Sequence, residues 1–522
     1  MQTFAHANRY LFVYNYLPPY TKNLVLVQFE AYKNLVLVQF EAYKNLVLVQ
    51  KCLKNLDKSV KISNFAKKLD ITAMKRKIFD TLLRWKDTEK GRVALLIEGA
   101  RRVGKSYIVK AFAEKAYRSY IMVDMTYMPQ ALQSVFDDYL NDIPMFLTLL
   151  QNVTGTKLYE RESLIIFDEV QAYPKVRQAI KHLVADGRYD YIETGSLVGI
   201  MENTQGILLP SEERTVKMYP MDFEEFLWAL NDDMTMPFIR TCYEQKRPMG
   251  PMHRKTMELF RQYMIVGGMP QAVEQYADTK LFMDVETVKR DILQLYNNSV
   301  AQYARGYAAK VKAVFDNIPS ELQRHEKRFR LSNIESGARY RSYETSFLWL
   351  KDAMITNMCY GVTAPSVGMK LTSDETSFKC YLADTGLLIS HAFDEKTIQG
   401  EELFQKLMFD KLEINSGMLV ENIVAQMLVA SGHRLFFYSN NSRTDASERM
   451  EIDFLIEKRQ LTNAHNICPI EVKSGKNYTT VSLNKFCRKF ERQLSTPYII
   501  HYQDLKTVDG VVYLPIYMVP LL

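Results

Sequence analysis

The run Gly99-Ala100-Arg101-Arg102-Val103-Gly104-Lys105-Ser106 constrains this chain more than any other stretch. It has the spacing G-x-x-x-x-G-K-[ST] and lies between the apolar run 93–97, which reads as a buried strand, and 107–116, which reads as a helix. A glycine-rich loop in that setting turns several backbone N–H groups toward one point at the positive end of a helix dipole, which makes a cradle for phosphate. Lys105 then reaches the β- and γ-phosphates, and the Ser106 hydroxyl ligates Mg²⁺. The bland alternative is an ordinary tight turn, and the strand–loop–helix setting argues against it. The expectation is a chain that binds a nucleoside triphosphate.

A second motif points to hydrolysis. Leu164-Ile165-Ile166-Phe167-Asp168-Glu169 reads as a buried strand ending in two carboxylates, the pattern of a neighbouring parallel strand. Phosphoryl transfer needs a metal between the phosphates and a water in line. Asp168 suits the metal shell, and Glu169 suits the base that polarises water. The next strand candidate, 189–193, ends in Thr194-Gly195-Ser196, so Thr194 or Ser196 would sit beside the γ-phosphate as a sensor; a turn or helix cap is the other use of such hydroxyls. An amphipathic helix over 171–185 separates these strands. The order strand–helix–strand predicts an α/β core with its ligand at the carboxyl ends of the strands.

A chain of 522 residues has room for three or four domains. With 47% hydrophobic and 24% charged residues it is expected to be globular throughout. A net charge of +7 is compatible with nucleic acid without pointing to it. Its six cysteines are scattered with no C-x-x-C pair, and its eight histidines show no metal-ligand spacing, so neither disulfides nor a structural zinc is expected. No apolar run is long enough to span a bilayer and no signal peptide is legible, so a cytoplasmic protein is expected.

Residues 1–73 differ from the rest. The segment 22–32 is repeated without change as 33–43 and begun again over 44–50. Its Leu-Val-Leu-Val core has β character, and so few copies cannot bury the core of a repeat fold. Perfect identity points to duplication of coding or upstream DNA, and the functional fold is expected to start near Met74.

Chemistry reappears near the end. Residues 451–457 alternate like a strand, and 467–473 form another. If the two pair, Asp453 approaches Glu471, and two carboxylates with Lys473 make a site for Mg²⁺-assisted phosphodiester hydrolysis. Glu421, on an amphipathic helix over 417–430, adds a third acid. Outward-facing charges on an edge strand are the ordinary explanation for such residues.

Taken together, these motifs resemble a family of bacterial and archaeal AAA-type P-loop ATPases that carry a C-terminal domain of uncharacterised function with a restriction-endonuclease-like, PD-(D/E)XK fold. The resemblance runs from Met74 onward. Besides the motifs above it rests on Tyr219-Pro-Met-Asp-Phe-Glu-Glu-Phe-Leu227, Val266-Gly-Gly-Met-Pro270, Tyr381-Leu-Ala-Asp-Thr-Gly-Leu-Leu388 and Ile470-Glu-Val-Lys-Ser-Gly475. It implies an α/β protein: a P-loop NTPase parallel-sheet core over 74–235, a helical lid over 236–300, a winged-helix-like module over 301–395 and a nuclease-like α/β domain over 396–522. It also implies ATP and Mg²⁺ as cofactors, held by Gly99 to Ser106, Asp168 and Glu169, with Thr194 or Ser196 as sensor. The turn Gly267-Gly268-Met269-Pro270 is similar to one that closes over the base in related ATPases, although Gly-Gly-x-Pro also simply ends a helix. Glu421, Asp453, Glu471 and Lys473 align with the nuclease pattern.

In the winged-helix-like module, 342–352 reads as an amphipathic helix, 355–362 as a β-ribbon, and the basic run 324–330 as a phosphate contact or a solvated face. Two functions fit: an ATPase whose nucleotide state controls a C-terminal domain acting on or binding DNA or RNA, or an ATP-gated switch with an inactive nuclease-like scaffold that binds a protein partner. Arg101, Arg102, Arg214, Arg339 and Arg341 all remain open as a trans-acting arginine.

Overall fold

The computed structural model describes residues 74–196, 211–324, 328–393, 402–408 and 416–522, apart from 443, 444, 446, 459, 461, 463 and 476, and the backbone of three strands before residue 40. The chain separates into two units, 1–73 and 74–522. In the first, strands Tyr10–Val13, Leu24–Phe29 and Leu35–Gln39 form an antiparallel sheet in which the two Leu-Val-Leu-Val copies pair. The rest of that segment lies outside the described residues, as does part of the basic run expected to touch phosphate.

The second unit opens with α1 (Ile78–Glu89), β1 (Ala94–Gly99), α2 (Lys105–Ala116), β2 (Ser119–Asp124), α3 (Gln130–Tyr139), α4 (Ile143–Thr154), β3 (Ser163–Asp168), α5 (Lys175–Asp186), β4 (Asp190–Gly195) and β5 (Glu213–Met218). The five strands form one parallel sheet in the order β2-β3-β4-β1-β5. Every residue of β1, β3 and β4 is buried, as their unbroken apolar runs require of strands covered on both faces. Leu95, Ile97, Ile166 and Ile192 pack with Val109 and Phe112 on one face. On the other, Leu96, Ile165, Phe167 and Tyr191 pack with Phe136, Phe146 and Leu183. Because β4 lies between β1 and β3, whatever follows β4 stands between the phosphate loop and the two acids.

Five helices follow: α6 (Phe223–Ala229), α7 (Thr235–Glu244), α8 (Pro251–Val266), α9 (Pro270–Thr279) and α10 (Phe282–Tyr303). After α11 (Ala308–Gln323) and α12 (Glu344–Asp352) the chain builds a second sheet. Its elements are β6 (Thr356–Val362), β7 (Ser373–Leu382), α13 (Thr385–Ala392), α14 (Glu402–Met408), α15 (Ser416–Ala430), β8 (Leu435–Asn440), β9 (Met450–Glu457), β10 (Ile467–Val472), α16 (Val481–Lys489), β11 (Tyr498–His501), β12 (Lys506–Val508) and β13 (Val511–Pro515). The order is β7-β6-β8-β9-β10-β11-β13-β12, with mixed parallel and antiparallel pairs. The expected pairing of 451–457 with 467–473 is present, with Phe454 opposite Ile470.

Three expected boundaries do not separate structures. The segment 355–362, expected as the β-ribbon of a winged helix, is the single strand β6, which pairs with β7 on one side and in parallel with β8 on the other, so β6 and β7 belong to the terminal sheet and a boundary at 395 divides one sheet. A boundary at 236 or 301 fares no better: one apolar core runs from Met221 and Phe226 through Phe260, Ile292 and Phe315 to Ile423, Phe454 and Val519. The helices expected as a separate lid share their buried face with the terminal sheet, and burying that face is what holds them there. No helix among the described residues is long and apolar enough to cross a membrane.

Candidate functional site

The phosphate loop leaves β1 through Gly99, where any Cβ would stand 2.6 Å from the Met218 carbonyl oxygen of neighbouring β5. It enters α2 at Gly104, whose φ of +95° only glycine adopts without strain. Arg102 and Glu169 are also left-handed, at φ of 69° and 57°. Two strained non-glycine residues at one sheet edge are the kind of feature that clusters where ligands are gripped. The loop is braced from behind by Arg76, which donates to the carbonyls of Val103 (3.0 Å) and Tyr219 (2.7 Å) and pairs with Glu225 at 3.1 Å.

Lys105 is buried, and its ammonium donates to the carbonyls of Gly99 (2.9 Å) and Ala100 (3.2 Å). Burial pushes its pKa down, against the pull of Glu169 and Asp168. The Ser106 hydroxyl donates to Asp168 Oδ1 at 2.8 Å, and the Thr194 hydroxyl donates to the same oxygen. Thr194 Oγ1 in turn accepts from the Glu169 N–H at 3.2 Å. Burial raises the Asp168 pKa while these two hydroxyls work against the rise. The Glu169 carboxylate is held by the side-chain amide of Gln171. Thus Lys105, Ser106, Asp168, Glu169 and Thr194 come together at the carboxyl edge of β1, β3 and β4. Ser196, one residue past β4, is half-buried and bonds to neither acid. A hydroxyl and a carboxylate are hard oxygen donors, so Ser106 and Asp168 fit Mg²⁺.

The loop is also wired outward. Arg101 donates to Ser299 Oγ at 3.0 Å, and Tyr296 donates to the Arg101 carbonyl at 3.4 Å; both partners lie on α10. One helical stretch away α10 carries fully buried Lys289, which donates to the carbonyls of Ile265 (3.0 Å) and Gly386 (3.3 Å) and pairs with Glu286 at 3.1 Å. The turn Gly267-Gly268-Met269-Pro270 lies beside this network. Gly268 N–H donates to Asp384 at 2.6 Å, and Met221 N–H donates to the Gly268 carbonyl at 2.6 Å. A Cβ on Gly268 would fall 2.1 Å from the Met221 carbonyl oxygen. Gly268→Ala is therefore expected to cost about 1–3 kcal/mol, read as a lower Tm. Sequence reasoning missed Arg76, Lys289 and Asp384; the signal for the last was an aspartate followed by Thr-Gly after an apolar strand, a helix cap, which it is (Leu387 N–H to Asp384, 2.9 Å).

The terminal acids are arranged differently from the expectation. Lys379, fully buried on β7, pairs with Glu451 at 2.9 Å and lies 3.7 Å from Asp453. Burial opposes its charge, but Glu451, Glu421 and Asp453 together hold its pKa above the ordinary lysine value. Asp453 also accepts from the Val472 N–H at 2.8 Å, and Glu421 accepts from the Tyr381 hydroxyl at 3.1 Å. Glu471 is paired with Lys473 at 2.6 Å, and burial raises its pKa against the pull of that lysine. Among the described residues no three acid, histidine or cysteine side chains are grouped so as to hold a metal ion. The expected triad of Glu421, Asp453 and Glu471 is thus not assembled: two of its members surround Lys379, and the third belongs to Lys473. A lysine inside the apolar run 378–382 was the legible sign of this cluster.

Residues 91–227 match a family model described as an AAA domain. Two further models, both described as domains of unknown function, match 257–397 and 416–519. An uncharacterized protein of Haemophilus influenzae is 25% identical over 173 residues, 32% of this chain, and the chain spans 41% of that relative's length. Among solved structures, a Walker-type ATPase of Pyrococcus abyssi is similar at 16% identity and a TM-score of 0.38, over 61% of this chain and 96% of its own. A signal transduction ATPase with a tetratricopeptide repeat sensor from Pyrococcus horikoshii is similar at 12% and 0.24, over 66% of this chain and 47% of its own. Drosophila ORC bound to DNA is similar at 13% and 0.26, over 58% and 91%. The phosphate loop, the two acids after β3, the parallel sheet and the family model agree that residues 91–227 form an AAA-type P-loop nucleotide-binding domain.

Proposed function

We propose that this chain is an ATP-hydrolysing switch whose nucleotide state governs a C-terminal domain that binds nucleic acid. The observation that carries the reading is the convergence of Ser106 and Thr194 on one oxygen of Asp168, beside buried Lys105, on a loop that α10 grips through Arg101. When ATP enters, Lys105 exchanges the carbonyls of Gly99 and Ala100 for phosphate oxygens. Ser106 and Asp168 would hold Mg²⁺, which when bound draws negative charge from the β- and γ-phosphates. Glu169 orients a water and takes its proton as the water oxygen bonds to the γ-phosphorus and the bond to the β-bridging oxygen breaks. Thr194, joined to both acids, registers the change. Loss of the γ-phosphate shifts the loop against α10, and through Lys289 and Asp384 favours another packing of the terminal half.

Glu169→Gln keeps the shape of the site and removes the base. It is expected to bind ATP like the parent and to lose turnover by roughly 10²-fold or more, measured as phosphate release beside nucleotide affinity. Turnover at the parent rate would overturn Glu169 as base.

The second reading, an ATP-gated scaffold for a protein partner, is favoured over nucleic-acid cleavage by one feature: the terminal acids are neutralised by Lys379 and Lys473 rather than grouped with one another. DNA is accordingly expected to stay intact with Mg²⁺ and ATP, for the parent and Lys473→Ala alike. Nicking that Lys473→Ala removes would restore the nuclease.

A further inference from the structure

We propose that a basic cavity on the terminal sheet, remote from the paired acids, docks the phosphodiester backbone of nucleic acid; this rests on the nucleic-acid half of the reading above. The cavity has a volume of about 350 Å³ and is lined by three cations from three separate segments. Lys370 comes from the β6–β7 connection, Arg434 from the residue before β8, and Lys458 from the residue after β9. None of the three has an ion pair or a side-chain hydrogen bond among the described residues. Three lysines of the same half are by contrast committed: Lys379 to Glu451, Lys473 to Glu471 and Lys489 to Glu448. Convergence of uncommitted cations costs self-repulsion, which an anionic ligand would relieve.

The one acid in the lining, Glu457, offsets only one of the three positive charges. Glu457 Oε1 accepts from the N–H groups of Gly368 (2.8 Å) and Met369 (3.3 Å), so its carboxylate anchors the connection that carries Lys370. Two left-handed glycines, Gly368 at φ +75° and Gly432 at φ +92°, set the turns that bring Lys370 and Arg434 to the cavity. The lining segment 368–370 is flanked in sequence by a second chemistry: Leu371 is 90% exposed and Val367 47% exposed. An inorganic anion uses only the charges, whereas nucleic acid offers phosphates to the cations and base faces to these apolar side chains. The site is also separate from the acid–lysine pairs. Glu457 ends β9 opposite Ile467, while Asp453 and Glu471 lie toward the other end of the same strand pair.

The test is a fluorescence-anisotropy titration of short labelled single-stranded and duplex DNA with the full chain across a range of salt concentrations. The triple variant Lys370→Glu, Arg434→Glu, Lys458→Glu is compared with a control of equal charge change at exposed positions elsewhere, Lys181→Glu, Lys246→Glu, Lys255→Glu. The cavity variant should bind roughly tenfold or more weakly near physiological salt, with the slope of log affinity against log salt reduced by about 2 to 3; the control should keep the parent slope. Unchanged ATP turnover and Tm establish that the cavity variant is folded. Parent binding that survives in the cavity variant, or falls equally in the control, overturns the docking site and leaves the nucleic-acid reading standing. Absence of binding by the parent overturns both. Tripolyphosphate binding that the cavity variant loses, with DNA binding intact, also overturns it, in favour of a small-anion site.

Discussion

Lys105→Ala should abolish ATP turnover, lowering it by roughly 10³-fold while leaving the fold in place. The ammonium is buried at the carboxyl edge of the parallel sheet, and the contacts it makes, to the Gly99 and Ala100 carbonyls, belong to the loop that would receive the phosphates. A cation in a site shielded from water acts on developing phosphate charge far more strongly than one in solvent, and no other lysine is placed on this loop to replace it. Stability should change little, by about 1 kcal/mol, because the loop remains braced by Arg76 and by the Arg101–Ser299 bond. Phosphate release and Tm, measured on the same preparations, separate the two effects. A variant that keeps turnover would remove Lys105 from the machinery.

Lys379→Ala should be the most destabilising single change considered, at about 3–5 kcal/mol, since it leaves buried or half-buried acids around an empty position. Lys379→Met fills the volume without the charge and should cost nearly as much, which distinguishes uncompensated carboxylates from a cavity. The pH dependence has a definite sign. In the parent the Lys379 pKa is raised in the folded state, so its contribution is fully present below the ordinary lysine value of 10.5 and is lost only as the pH climbs through the higher folded value. In the variant the stranded acids have raised folded pKa values, so the deficit should narrow as the pH falls toward the carboxylate range. Denaturant unfolding at several pH values reads both; a deficit that does not change with pH would mean that the loss is packing alone.

What was legible in the sequence divides along the range of the interactions. The phosphate site is local: Gly99 to Ser106 is one strand–loop–helix unit, and the apolar run before Asp168 and Glu169 announces a buried strand whatever surrounds it. Choosing between Thr194 and Ser196 needed the strand order, because only β4's place between β1 and β3 aims Thr194 at Asp168. The terminal acids illustrate the opposite case. Asp453 and Glu471 were correctly expected on paired strands, but the charge that organises Asp453 comes from Lys379, two strands earlier in the chain and outside the motif. Likewise β6 and β7 have the local appearance of a wing, and nothing within 355–382 reveals the parallel pairing with β8 that makes them part of a larger sheet. The lid was expected as a module of its own because the family resemblance implied one; what covers the apolar faces of its helices is set by tertiary packing.

Coupling between nucleotide and nucleic acid is tested most directly by DNA affinity measured with the Glu169→Gln chain saturated with ATP, then with ADP. The path from Arg101 through α10 to Lys289 and Asp384 predicts affinities that differ by roughly 5- to 150-fold, and by linkage DNA should change the ATP affinity of the same chain by the factor by which ATP, rather than no nucleotide, changes its DNA affinity. Equal DNA affinity in both nucleotide states, with ATP demonstrably bound, would contradict the switch and leave two functions that share a chain without communicating.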